Sequence, residues 1–275
     1  MKRVLEGIIL TVLVCMLILG LYARFIRRPK RNNVDNPSNT ATPVTPVTVT
    51  STPESTATIE PTIDPSVFTD TDSYLILANK KHKLPDGYEP SDLVQPQVNG
   101  SGAYMRETAA HALEEMFSAA RNDGVILRLI SGYRSESEQN YLFYTVYGGG
   151  EVADAKSSRP GYSDHQTGLA TDIGATTDRE QATGCDSLTT DSESNGSNRA
   201  CFGNITEGIW LREHAHEYGF IMRYPKGKYE ITGYTYEPWH FRYVGVDYAT
   251  AIYNIDEYES FEEYFDVTGG TSYGE

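Results

Sequence analysis

Ser163-Asp164-His165-Gln166-Thr167-Gly168-Leu169-Ala170-Thr171-Asp172 and, far downstream, Glu237-Pro238-Trp239-His240 are the two stretches that decide how this chain is read. Together they offer two imidazoles and two carboxylates at positions that different elements can bring together. Three protein ligands with a fourth position open to water, and an acid beside them, make the inventory of a catalytic zinc centre. His165 falls on a glycine-containing loop, Asp172 on the strand that residues 168–174 suggest, and His240 on a separate strand. Rigid elements would then hold the three donors, His165, Asp172 and His240, apart. Glu237 and His240 stand three positions apart, which in a regular strand points them to opposite faces. Pro238 between them cannot complete a ladder and supplies a bend. That bend would turn Glu237 back toward the metal as a general base.

Neither half is specific alone, since His-x6-Asp and Glu-x-x-His both arise often by chance. The combination carries the reading. His214 and His216, on a helical stretch, read as surface or half-buried residues, and His82 and His111 have no supporting context.

The rest of the 275-residue chain divides by composition. Residues 1–31 hold seven basic residues against Glu6, a charge of +6, leaving −21 for the rest against −15 for the whole. An acidic body of this kind, with no basic stripe, argues against a nucleic-acid partner. Residues 7–23 form an apolar run long enough to cross a bilayer, without a small-x-small cleavage site behind it. Cys15 is an apolar member of that run, because Val14 precedes it where a lipoprotein signal would want a small residue. Five basic residues follow the run and two precede it, which by the positive-inside tendency would place the C-terminal side in the cytoplasm. The next segment argues the other way. Residues 32–66, with Thr42-Pro43-Val44-Thr45-Pro46 and Thr52-Pro53-Glu54-Ser55, are too poor in large apolar residues to repay ordering. They read as a disordered tether of the kind that carries an enzyme from a membrane into a cell wall. The expected arrangement is a single-pass anchor with an extracytoplasmic catalytic domain.

From residue 67 the pattern is that of one folded domain. Met105, Ala109, Ala112, Leu113, Met116, Phe117 and Ala120 recur at helical spacing, and Gly124 ends the helix. Residues 125–130 read as a strand. Ser131-Gly132-Tyr133-Arg134-Ser135 is a turn into the next helix, with Ser135 and Glu138 at capping-box spacing. Asn204 and Glu207 repeat that spacing before a helix that buries Trp210, Leu211 and Tyr218 and stops at Gly219. Residues 220–224, 229–234 and 236–244 read as strands. The predicted fold is α+β, a small antiparallel sheet flanked by helices with the zinc site at the sheet. Cys185 and Cys201 bracket a Ser/Thr/Asp/Asn-rich stretch with no core pattern, inside an insertion at residues 175–207, and the alternative to pairing is two free thiols in a loop. In an oxidising compartment they form a candidate disulfide worth roughly 3 kcal/mol.

Ser163-x-His165-x-x-Gly168-x-Ala170-x-Asp172 followed by Glu237-Pro238-Trp239-His240 resembles the signature of the VanY-type D-alanyl-D-alanine carboxypeptidases, the zinc peptidases that include the VanX dipeptidases and peptidoglycan LD-carboxypeptidases. The resemblance spans most of residues 75–250. It takes in Leu77-Ala78-Asn79-Lys80, Leu84-Pro85, the 131–135 turn with Gln139, and Arg223-Tyr224-Pro225 before Thr232-Gly233-Tyr234. It implies one Zn2+ held by His165, Asp172 and His240, with Glu237 as the catalytic base. It also implies Arg134 as the residue that binds substrate and steadies negative charge, for which a planar guanidinium is suited. Gln139 and Ser163 would contact the peptide terminus, and Tyr133 and Trp239 would shape the pocket. The insertion and an acidic tail, residues 254–275, lie outside the matching core, residues 67–253. The implied substrate is a peptidoglycan stem peptide that loses its terminal D-alanine, acted on by a monomeric catalytic domain. The alternatives are an LD-carboxypeptidase acting on tetrapeptide stems and a non-catalytic peptidoglycan-binding module, against which an intact Glu237 counts.

Overall fold

A computed structural model describes residues 63–154, 157–177, 202–256 and 259–274. The regular elements in chain order are β1 (Leu93–Val94), β2 (Met105–Arg106), α1 (Glu107–Asn122), β3 (Leu127–Ser131), α2 (Glu136–Tyr141), α3 (Gly150–Asp154) and β4 (Ala170–Ala175). After the insertion come α4 (Thr206–His214), β5 (Phe220–Met222), α5 (Tyr229–Thr232), β6 (His240–Tyr243), α6 (Val246–Ile255) and α7 (Phe261–Tyr264).

The predicted small antiparallel sheet is present, in the order β3-β4-β6-β5. β4 is buried along its whole length, because it pairs on both edges and is covered on both faces. Alternation along the strands divides those faces. Ile173 and Ala175 of β4, Phe241 and Tyr243 of β6, and Phe220 and Met222 of β5 join the main core with α1 and α4. Asp172, His240, Arg242 and Ile221 take the other face, where Ile221 packs with Phe68, Leu75, Leu77, Phe261 and Phe265 in a second apolar cluster. The sheet thus sets its functional side chains between two cores.

The helix expected after Met105 is α1, which buries Ala109, Leu113, Met116, Phe117 and Ala120. The Ser135–Glu138 capping box is formed. Three local expectations differ from what is observed. The stretch 229–234 holds the short helix α5 (Tyr229–Thr232), closed by Gly233 at φ 83°, rather than a strand. The alternation of Tyr229, Ile231 and Gly233 imitates strand spacing, but the amides of Thr232 and Gly233 return to Lys228 and Tyr229. α4 starts at Thr206 behind Ile205, with no side-chain cap, rather than behind Asn204. Only residues 240–243 of the stretch 236–244 are strand, since Glu237–Trp239 make a turn before it.

The residues past Tyr253, set apart above as an acidic tail, pack onto the domain within 259–274. Phe261 is fully buried and Glu262 is 2% exposed. The expected N-terminal anchor, residues 32–62 of the expected linker, Cys185 and Cys201 lie outside the described residues. The last linker residues, 63–66, are ordered, with Ile63 packed on the second apolar cluster and Asp64 capping a 3-10 turn at Pro65–Phe68. Among the described residues, no helix is long and apolar enough to cross a membrane.

Candidate metal centre

Antiparallel register does most of the work at the site. Asp172 on β4 stands directly opposite His240 on β6, so the two side chains emerge from the same face. His165 arrives from a single 3-10 turn, Asp164–Thr167, ended by Gly168 at φ 69°. A side chain at 168 would also meet Arg106, Leu93 and Pro90 at 3.0–3.1 Å. The positive φ and the close approach together require glycine there.

One ligand atom from each of His165, Asp172 and His240 lies within 4.8 Å of the other two, and all three residues are buried. His165 Nδ1 is 2.8 Å from the Gly132 carbonyl, to which it donates, leaving Nε2 turned toward Asp172 at 3.4 Å. His240 uses Nε2 on Asp164, 3.3 Å away, leaving Nδ1 at 3.2 Å from Asp172. Each imidazole is therefore held by one nitrogen so that the other faces the common centre, the arrangement that orients metal-binding histidines. Asp172 Oδ1 is buried and, among the described residues, has no well-aligned hydrogen bond, only the His240 Nδ1 contact at 3.2 Å. A carboxylate oxygen left so is costly unless a cation completes it, and two imidazoles with one carboxylate suit Zn2+. The cluster points to one Zn2+ ion.

Glu237 reaches the group by a tight turn rather than by a bent strand. The His240 amide donates to the Glu237 carbonyl at 3.1 Å, which puts both side chains on one side of the turn. Glu237 Oε2 is 3.7 Å from His240 Nδ1, and its side chain is 17% exposed against 4% for His240. Burial, reinforced by the Asp172 charge, pushes the Glu237 carboxyl up to about 7, while His240 and Arg134 hold it back. Burial alone would lower His240, but its hydrogen bonds to Asp164 and Asp172 and the charges of Asp172 and Glu237 raise it to about 9. In the metal-free chain His240 therefore keeps a proton at neutral pH on the nitrogen that zinc needs. Zinc uptake is expected to release about one proton at pH 7, with apparent affinity rising about tenfold per pH unit from 6 to 8. Calorimetric titration in buffers of different ionisation enthalpy measures this, and a pH-independent affinity would contradict it.

Arg134 follows β3 and precedes α2, and its backbone amide donates to the His165 carbonyl at 3.2 Å. Its guanidinium donates to Gln139 Oε1 at 3.0 Å and to Ser131 Oγ at 3.3 Å. Gln139 is fully buried and donates to Ser157 Oγ and the Ser158 carbonyl. It fixes Arg134 from behind, where it was expected to meet the peptide terminus. Ser163, 2% exposed, heads the 3-10 turn. Trp239, expected in the pocket wall, is 5% exposed and part of the main core. Tyr133 does face a cleft, one of 530 Å³ lined also by Ser135, Tyr88, Glu89, Glu136 and Pro160.

Sequence reasoning missed what lies behind His240. Asp164 is 1% exposed and Arg242 fully buried, and an Arg242 Nη1 to Asp164 Oδ1 hydrogen bond joins them. Arg242 also donates to the Tyr74 and Ile76 carbonyls. The period-2 relation of His240 and Arg242 across Phe241 was the one signal that both would face the same acid.

Known proteins resemble this chain in sequence and in fold. The family model described as VanY, D-alanyl-D-alanine carboxypeptidase, matches residues 102–246. YodJ of Bacillus subtilis (strain 168) is 42% identical over 204 residues, which span 71% of this chain and 68% of YodJ. The solved structure of the LdcB LD-carboxypeptidase superposes with a TM-score of 0.59 at 41% identity, over 71% of this chain and 86% of that one. VanYB in complex with D-alanine-D-alanine gives a TM-score of 0.53 at 32% identity, over 70% and 97%. The chain therefore belongs to the VanY family of D-alanyl-D-alanine carboxypeptidases and is a zinc-dependent metallo-carboxypeptidase.

Proposed function

We propose that this chain removes the terminal D-alanine from peptidoglycan stem peptides, with His165, Asp172 and His240 as the zinc ligands and Glu237 as the general base. The observation that carries this reading is the convergence of three buried donors on one point with Glu237 beside them. When bound, Zn2+ lowers the pKa of a water and polarises a carbonyl. Glu237 takes the proton of the attacking water and returns it to the leaving amine, a task suited to a carboxyl raised toward 7. Arg134, held by Gln139 and Ser131, meets negative charge at the scissile carbonyl or the terminal carboxylate, a contribution of roughly 3 kcal/mol to the barrier. Tyr133, next to Arg134 in the chain, borders a cleft that would receive the more distant part of the peptide.

The anchor in residues 1–31 and the linker in 32–66 would hold the domain outside a membrane, within reach of the wall. In that compartment Cys185 and Cys201 would pair. A second reading has support of its own. The likeness to the LdcB LD-carboxypeptidase is stronger than that to VanYB in both identity and TM-score, which favours a tetrapeptide stem as substrate.

Mass spectrometry of stem peptides incubated with the zinc-loaded chain tests both. Loss of one alanine from the pentapeptide alone supports the DD reading, and loss from the tetrapeptide supports the LD reading. A chelator should abolish either. Cleavage of neither, with zinc bound, would overturn both and leave a wall-binding module.

A further inference from the structure

The strongest unassigned feature is a buried charge cluster behind His240 whose last member comes from the C-terminal segment, beyond residues 102–246 that the family model covers. Arg223 and Arg242 are both fully buried, and they share one acid on the sheet side, Asp164. Arg242 Nη1 hydrogen-bonds Asp164 Oδ1. Asp164 Oδ2 is approached by two groups at once, His240 Nε2 at 3.3 Å and Arg223 Nε at 3.9 Å. Arg223 does not complete that approach, and its Nε has no hydrogen-bond partner among the described residues. Its two terminal nitrogens are instead taken by Glu262, at 2.7 Å each, in a bidentate pair. Glu262 is itself set by Asn79 Nδ2 at 2.9 Å. Two buried guanidinium groups against Asp164 alone would leave a net positive charge in a region without water. Glu262 makes the cluster neutral.

We infer that Glu262 is a positioning residue for the metal centre: it holds Arg223 off Asp164 Oδ2, so that this oxygen stays with His240 and keeps His240 Nδ1 turned to the metal. The inference rests on the zinc-ligand assignment of His240. Without the Glu262 charge, Arg223 lies within a small shift of a full ion pair with the same oxygen that His240 uses. A guanidinium is the stronger partner for a buried carboxylate, and the imidazole would lose the hydrogen bond that orients it. Loss of such a supporting bond typically costs about 10–100-fold in metal affinity.

The test is zinc affinity, by competition with a fluorescent chelator, for the wild-type chain, Glu262→Gln, and the double variant Arg223→Gln/Glu262→Gln. Circular dichroism restricts the comparison to folded protein. The expected result is a loss of about 10–100-fold in Glu262→Gln and recovery to within about fivefold of wild type in the double variant, where no guanidinium remains to compete. A merely structural role for Glu262 would lower thermal stability in both variants and leave the affinity of folded protein unchanged. Wild-type affinity in Glu262→Gln, or a double variant as weak as the single, would overturn the inference. Should Glu262→Gln not fold, the double variant decides, with affinity near wild type in support and a tenfold loss against. Wild-type protein that binds no zinc would overturn the ligand assignment and this inference with it.

Discussion

Glu237→Ala is expected to lower kcat by about a thousandfold or more while zinc stays bound. Two facts separate the chemistry of Glu237 from metal retention. The converging donor atoms belong to His165, Asp172 and His240, and each of the two histidines is oriented by a partner other than Glu237, namely the Gly132 carbonyl and Asp164. Removing the Glu237 side chain would thus delete the proposed proton carrier and leave the three donors in place. Zinc content by plasma emission and turnover by mass spectrometry read the two quantities separately. Activity within tenfold of wild type would show that another group moves the proton.

Asp172→Asn is expected to act on both metal and fold. A carboxamide has nearly the shape of the carboxylate but no charge, so it keeps the packing of β4 and withdraws the anionic ligand. Zinc should then be lost on dialysis under conditions where the wild-type chain keeps it. The metal-free protein should also weaken, because Asp172 lies 3.4 Å from His165 Nε2 and 3.2 Å from His240 Nδ1 with 9% of its side chain exposed. His240 owes part of its upward shift to Asp172, so the substitution also withdraws an anion that offsets the buried imidazole's charge. Breaking a buried pair from one side costs roughly 3 kcal/mol or more. Denaturant titration of the two metal-free chains at pH 7 measures the difference. Equal stability together with retained zinc would remove Asp172 from the centre.

Much of this was legible in the sequence because it was local or periodic. α1 announced itself by apolar spacing, α2 by its capping box, and the metal residues by two short segments that resemble a known signature. Errors arose where short-range pattern and tertiary context disagree. Tyr229, Ile231 and Gly233 alternate like a strand, yet Gly233 in the left-handed region closes a helical turn. Gln139 and Trp239 lie next to functional residues in sequence, but their side chains are buried, one behind Arg134 and one in the main core.

The charge cluster was invisible for a different reason. Nothing local marked Asp164 for burial, and Glu262 fell in the segment set apart as an acidic tail. Their partners, Arg242 and Arg223, come from other segments, and only the fold buries all four together. Sequence distance conceals such pairs, since neither partner carries a local mark of burial. The Glu237 turn is an intermediate case. Pro238 correctly signalled a departure from the strand, but the hydrogen bond from His240 back to Glu237 defines its form.

The most direct test of the metal centre is a crystal of the zinc-loaded chain measured on both sides of the zinc absorption edge. One anomalous peak is expected, about 2.0–2.2 Å from His165 Nε2, His240 Nδ1 and an Asp172 carboxylate oxygen. Its absence there, or a peak at His214 or His216 in its place, would contradict the assignment of zinc to these three residues.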